Sequence, residues 1–190
     1  MDEAGRGPLA GPVVASAVIL FQIPASHFID DSKCLTPQAR ESAYRAILRV
    51  SAIGIGAAGP EEIDRIGIHA ATHSAMVRAL QKLPLLPRLV LVDGLYIPKD
   101  CPVPAQPLVR GDGRSLSIAC ASIVAKVVRD QWMQLIHRLH PEYGFRQHKG
   151  YGTQRHLKAL ERYGPSRFHR FSFEPVVFAG SDPEFEGDRS

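Results

Sequence analysis

The chain has 190 residues and a formal net charge of +4; 45% of the residues are apolar and 22% charged, with 16 Gly and 15 Pro. That composition excludes a disordered, fibrous or collagen-like chain and provides a full hydrophobic core in one domain. Three cysteines (Cys34, Cys101, Cys120) without a CxxC pair exclude a disulfide scaffold and a zinc ribbon, so a reducing cytoplasm is the expected compartment.

Residues 8–20 form an apolar run behind Asp2 and Glu3. A signal peptide carries positive charge there, and Pro8 and Pro12 interrupt the run, so no leader is expected. No stretch reaches the ~18 apolar residues of a membrane helix. Residues 13–21 are β-branched and apolar and predict a buried strand. Thr36-Pro37 places a cap and a first-position proline ahead of a helix over residues 39–50. Residues 51–58 predict a second strand. Pro60-Glu61-Glu62 opens a short helix with acids in its first turn, and residues 69–83 carry a helical stripe of Ala71, Ala75, Met76, Leu80 and Leu83. Residues 88–92 predict a strand ending at Asp93-Gly94. Residues 116–139 predict a long helix whose start, Ile118 to Ile123, is apolar and small enough to be buried. Residues 153–163 predict a last helix. Strands alternating with helices give an α/β class. One domain is expected over residues 1–179, followed by a disordered tail over 180–190.

Charge is unevenly placed. The tail carries Asp182, Glu184, Glu186 and Asp188 against Arg189, so residues 1–179 carry a net +7. Between residues 146 and 170 lie Arg146, Lys149, Arg155, Lys158, Arg162, Arg167 and Arg170 against Glu161 alone. Such a segment suits a nucleic-acid backbone, although a solvated basic face has the same look.

Four carboxylates stand where chemistry is done: Asp2, Glu3, Asp93 after a strand, and Asp112 ahead of the buried helix. Converging carboxylates repel one another, and a divalent cation relieves the repulsion. Two such ions about 4 Å apart promote phosphodiester hydrolysis. Each acid also has a plainer reading. Asp93-Gly94 is a common turn, Asp112 a cap, and Asp2-Glu3 solvated charge. In a regular strand Asp2 and Glu3 point to opposite faces. They share a site if the chain turns directly after them, for which Gly5 and Gly7 are suited, or if they serve two ions. Gly5-Arg6-Gly7 suits close approach to a phosphate or sugar.

Taken in order, these segments resemble one family, the prokaryotic type 2 ribonucleases H (ribonuclease HII). The matching pieces are Asp2 to Ala15, Asp31-Ser32-Lys33 with Leu35, Glu62 to Ile66, Leu91-Val92-Asp93-Gly94, Gly111-Asp112 through Ser117-Ile118-Ala119, and Ala121 to Lys126 with Arg129-Asp130. Tyr143-Gly144-Phe145, His148 to Thr153, and His169-Arg170 with Ser172-Phe173 complete them. The resemblance implies a ribonuclease H-like fold, a mixed sheet flanked by helices with a helical C-terminal portion. It implies an endoribonuclease acting on RNA–DNA hybrids and cutting 5′ of single ribonucleotides in duplex DNA. Catalysis would use Mn²⁺ or Mg²⁺ and leave 3′-hydroxyl and 5′-phosphate ends. Asp2, Glu3, Asp93 and Asp112 would be the catalytic, metal-binding acids. Gly5, Arg6 and Gly7 would meet the ribonucleotide 2′-hydroxyl, and Tyr151 would pack on the next deoxyribose. Lys33, Lys149, Arg146 and Arg170 would hold backbone phosphates, and Asp130 would serve in an ion pair. The eight histidines are assigned no zinc. A monomer without membrane partners is expected. Family members usually carry residues ahead of the Asp-Glu pair, where this chain has Met1, so a miscalled start or a truncation is expected. The alternative reading is a nucleic-acid-binding relic whose site is impaired at its N-terminus.

Overall fold

A computed structural model describes residues 1–25 and 35–179. The segment 26–34, which holds Asp31, Ser32, Lys33 and Cys34, and the tail 180–190 with its expected disorder lie outside the described residues. No helix among the described residues is long and apolar enough to cross a membrane.

Strand β2 (Val13–Leu20) is the spine. It pairs antiparallel with β1 (Asp2–Ala4), Asp2 facing Ser16, and with β3 (Ser51–Ala58), Val13 facing Ala58. A second, parallel pair joins β4 (Val90–Asp93) to β5 (Ala105–Leu108). Met1 links the two sheets: its amino group donates to the Leu91 carbonyl, and its carbonyl accepts from the Asp93 amide at 3.0 Å. That alternation is the pattern of a parallel ladder, so the strands run in the order β3, β2, β1, β4, β5. The arrangement is the expected mixed sheet with helices on both sides.

Helix α2 (Pro60–Gln81) covers one face and α1 (Pro37–Val50) with α3 (Leu116–Leu139) the other. Along β3 the pleat sends Ala52, Gly54, Gly56 and Ala58 inward to α2, and Ile53, Ile55 and Ala57 to the α1–α3 side. Gly54 and Gly56 admit the helix backbone itself. A Cβ on Gly54 would stand 1.9 Å from the Ala79 carbonyl oxygen, and one on Gly56 would stand 2.0 Å from that of Ala75. The short helix and the later helix predicted around residue 67 form one run broken at Gly67, whose φ of 79° and ψ of 155° are not helical. Across that break Glu62 accepts two hydrogen bonds from Arg78, at 2.7 and 2.8 Å, a bidentate pair that fixes the bend.

Thr36 caps α1 as its sequence predicts, its hydroxyl accepting from the Ala39 amide at 3.2 Å. Helix α3 begins buried from Ile118 to Ala125. Its later part packs with Leu9, Tyr143, Phe145, Leu160 and Val176 into a separate apolar cluster, contributing Met133 and Ile136. That cluster includes α4 (Phe145–His148) and α5 (Gln154–Tyr163) and fastens the C-terminal helices to the sheet end. Gly56→Ala is expected to lower unfolding free energy by about 3 kcal/mol, because the clash is with main chain that side-chain rotation cannot relieve. Urea denaturation monitored by circular dichroism measures it, and a loss below about 0.5 kcal/mol would contradict the close approach.

Candidate active site

The loop after β1 turns at Gly5 (φ 94°) and returns at Gly11 (φ 84°). Two fully buried arginines hold it from behind. Arg170 Nε donates to the Gly11 carbonyl at 3.0 Å, Nη1 to that of Arg6 at 2.8 Å, and Nη2 to those of Gly5 and Gly11. Arg129 Nε donates to Pro12 at 2.9 Å and its Nη2 to Ala10 at 3.1 Å. A Cβ at Gly5 would fall 1.9 Å from Arg129 Nε, so glycine is required there by both space and φ. Burial and the charge of Arg129 push the Arg170 guanidinium down to about 9. This corrects the sequence-based assignment of Arg170 to the nucleic-acid backbone: its donors are spent on the protein's own carbonyls. Asp64 on α2 fixes the turn that follows Arg170, accepting from the Phe171 and Ser172 amides at 2.9 Å each.

In front of this loop the acids meet. Asp2 is buried, and burial with the Glu3 charge raises its pKa to about 7; Asp93 adds to the rise, and a hydrogen bond with Ser122 on α3 opposes it. Glu3 is also raised, chiefly by burial, against the pull of Arg6. Its side chain lines a cavity of about 120 Å³ with Arg6, His69, His73, Asp93 and Tyr96. Asp2 thus reaches α3 while Glu3 faces α2, the opposite-face placement that a strand imposes, and the chain turns at Gly5 directly afterwards. Asp93 ends β4, and its Oδ1 accepts from the Gly111 amide at 2.7 Å. Asp112 is the next residue, on a short 3₁₀ turn (Gly111–Gly113), and caps the Gly113 amide at 3.0 Å. The structure therefore brings Asp2, Glu3 and Asp93 within mutual electrostatic reach and ties the Asp112 turn to Asp93.

Among the described residues no three carboxylate, imidazole or thiol groups form a ready metal cage. The donor set nevertheless fits a hard divalent cation: the groups are carboxylates, and Asp2 and Glu3 are held above their ordinary pKa by burial with neighbouring negative charge that a cation would offset.

Tyr151 stands on the far side of the loop, half-exposed, near Gly7. A second cavity, of about 170 Å³, runs between it and Glu3, lined also by Arg40, Ser122, Lys126 and Arg129. The backbone carrying Lys149 and Tyr151 is pinned by Leu9, whose amide donates to the Gly150 carbonyl at 2.8 Å, and by three buried imidazoles. His156 Nδ1 lies 3.0 Å from the Tyr151 carbonyl, so Nδ1 carries the proton and Nε2 accepts. His169 Nε2 donates to it at 3.0 Å, and His169 Nδ1 accepts from the Ser166 amide at 2.9 Å. His148 Nε2 donates to the Tyr143 carbonyl at 2.8 Å, and its Nδ1 accepts from Gly150. All three rings are neutral, in one tautomer each. Lys149 has φ 52° and its ammonium donates to the Arg146 carbonyl. Lys33 lies outside the described residues. Lys126 pairs with Asp130 at 2.6 Å, the ion pair expected for Asp130.

Sequence reasoning missed His69, His73, Arg40 and Lys126 as cavity-lining residues. For the histidines the signal was present: they are four residues apart and share one helix face.

A family model described as Ribonuclease HII matches residues 1–176. Ribonuclease HII of Chlamydia pneumoniae is 50% identical over 178 residues, covering 93% of this chain and 82% of the relative. That of Geobacillus kaustophilus is 50% identical over 177 residues, covering 93% and 67%. The crystal structure of ribonuclease H2 from Pyrococcus horikoshii superposes with a TM-score of 0.76 at 26% identity, covering 94% of each chain. Bst-RNase HIII in complex with Mn²⁺ gives 0.75 at 20% identity, covering 94% of this chain and 67% of that one, a likeness of fold.

Burial lowers His156 to about 4 and His169 to about 3. Unfolded histidine titrates near about 6.5. Between those values the unfolded chain binds more protons, so stability rises with pH there and is lost as pH falls. In an Asp2→Asn variant, which removes the opposing titration of the raised Asp2 carboxyl, the melting temperature is expected to drop by about 10 °C from pH 7 to pH 5. A calorimetric melting temperature unchanged across that window would contradict neutral, fully bonded imidazoles.

Proposed function

The chain belongs to the ribonuclease HII family and is a type 2 ribonuclease H acting on RNA–DNA hybrids; from that premise we propose that it also incises duplex DNA 5′ of a single embedded ribonucleotide, with Asp2, Glu3, Asp93 and Asp112 as its catalytic acids. The observation that carries this is the meeting of Asp2 and Glu3 with Asp93 from a strand some ninety residues on, where burial and mutual charge hold Asp2 near neutrality. A folded chain tolerates such repulsion chiefly where function uses it.

The four acids would hold Mn²⁺ or Mg²⁺. When bound, a divalent cation supplies the charge that acidifies an attacking water and offsets the charge developing on the leaving 3′ oxygen, giving 3′-hydroxyl and 5′-phosphate ends. The protein's own groups do the rest. The Asp93–Gly111 hydrogen bond keeps one carboxylate oxygen of Asp93 oriented and fixes the Asp112 turn beside it. Burial of Asp2 against Ser122 keeps bulk water from one side of the site.

Selection of the ribonucleotide rests on the loop. Five of its carbonyls, on Gly5, Arg6, Ala10, Gly11 and Pro12, are bonded inward to the two arginines. The outer side of Gly5-Arg6-Gly7 is thereby left to approach a 2′-hydroxyl, the group that distinguishes RNA from DNA. Tyr151, across from Gly7, packs on the following sugar and disfavours a hydroxyl there. Lys149 and Arg146 contact phosphates without reading sequence. The protein acts as a monomer in the cytoplasm.

The test is cleavage of a labelled DNA duplex bearing one ribonucleotide, with Mg²⁺, Mn²⁺ or EDTA, beside an all-DNA duplex. One metal-dependent cut 5′ of the ribonucleotide is expected, whereas binding without cutting would favour the relic reading. Asp93→Asn is expected to keep the fold and lower cleavage about 10³-fold; full activity in single-turnover assays would remove Asp93 from the site. Tyr151→Ala is expected to slow cutting at the single ribonucleotide roughly tenfold, the worth of one aromatic packing contact, with a smaller loss in duplex binding. Equal losses in both assays would argue against junction reading.

A further inference from the structure

We propose that His69 and His73 of α2, together with Arg6, form a subsite for a backbone phosphate of the bound duplex, beside Glu3 and Asp93. The proposal rests on the reading of those acids as the cutting site.

The two histidines lie one helical turn apart on α2. Ala71, Ala75, Met76, Ala79 and Leu80 supply its core face. His69 is exposed and His73 half-buried, and both line the cavity of about 120 Å³ that holds Glu3 and Asp93. The interaction with Arg6 fixes the chemistry. Arg6 Nη2 lies 3.0 Å from His69 Nδ1. A guanidinium only donates, so Nδ1 is the acceptor and the proton of the neutral ring is on Nε2. The ring therefore presents an N–H donor while steadying a cation. Arg6 is otherwise held loosely, at 3.4 Å from Glu3 Oε1 and half-exposed, so a phosphate oxygen can compete for it.

The His-x-x-x-His spacing also suits a metal ion, but the surroundings argue against one here. The Nδ1 lone pair of His69 is already engaged by a guanidinium, whose charge repels a cation at the same ring. Arginine beside imidazole is the chemistry of anion recognition. A negatively charged backbone needs such donors at this place, because Glu3 and Asp93 would otherwise repel it. The subsite thus offsets on the α2 side the charge that the acids impose.

The experiment measures binding in EDTA, where nothing is cut, by fluorescence anisotropy on an RNA–DNA hybrid. A series of duplexes each carries one neutral methylphosphonate linkage. The wild-type protein, His69→Ala, His73→Ala, the double variant and His69→Gln are compared, with circular dichroism melts as the check on folding. The double variant is expected to bind the unmodified hybrid about tenfold more weakly, the worth of a hydrogen bond to a charged group. One methylphosphonate position should weaken the wild type by a similar factor and the double variant, which keeps Arg6, by clearly less. His69→Gln, which keeps an N–H donor near the position of Nε2, should recover most of the affinity. Wild-type affinity in the double variant, or equal sensitivity of both proteins at every linkage, overturns the subsite. A changed Mn²⁺ requirement for cutting with unchanged duplex affinity overturns it in favour of metal ligation. The catalytic reading fails separately, if the wild-type protein binds the hybrid but does not cut it with metal present.

Discussion

Two buried guanidiniums, bonded to main-chain carbonyls, hold the functional end of the molecule in place. Taking a guanidinium out of water costs several kcal/mol. Arg170 offsets that cost with four hydrogen bonds and Arg129 with two, all charge-assisted. Their common target is the loop from Gly5 to Pro12. That loop joins β1, which carries two acids, to β2, the spine of the sheet. It also meets the C-terminal segment, since the Arg170 amide donates to Leu9 and the Gly11 amide to Phe168. The N-terminal acids, the glycine loop and the Tyr151 segment are therefore one mechanical unit, assembled from opposite ends of the chain.

The acids depend on that unit. Asp2 and Glu3 occupy successive positions of a three-residue strand, and two strong electrostatic costs act on them, burial and each other. The strand cannot relax away because its partners are fixed: β2 on one side and, through Met1, the end of β4 on the other. Arg6 reaches Glu3 at 3.4 Å, but the buried positive charge behind the site is engaged elsewhere. Arg129 lines the cavity with Glu3 while its donors serve Pro12 and Ala10. Strain of this electrostatic kind is what a hard cation removes on binding.

Much of the fold was legible in the sequence. Residues 51–58 and 116–139 form their elements at the predicted bounds: the first alternates along its whole length, and the second lies in a stretch free of glycine and proline between Gly113 and Pro141. Helix α5 begins behind Thr153, whose hydroxyl accepts from the His156 amide. Strand β5 went unread, since Pro107 sits inside it; pairing on one side alone, with β4, tolerates a proline. At the site, Asp93 was legible as an acid closing an apolar strand, and Asp2, Glu3 and Asp112 gained weight from the family resemblance. Arg170 was misread because a run of basic residues carries no mark of which one turns inward. Its burial depends on carbonyls some 160 residues away, a relation without periodicity. His69 and His73 carried a readable spacing, but their meaning depends on Arg6, which only the fold places beside them.

The relay that runs from the Ser166 amide through His169 and His156 to the Tyr151 carbonyl has one direction only, each ring donating on one side and accepting on the other. Reversing it would leave the Ser166 amide without an acceptor and set a lone pair against a carbonyl. Proton hopping along the chain is therefore blocked, and each ring keeps a single tautomer. Together with His148, the cluster holds three imidazole N–H protons shielded from solvent, which should exchange slowly and resonate far downfield in a proton spectrum. The protein thus carries its own reporter of whether the Tyr151 segment is seated, readable without a label and without substrate.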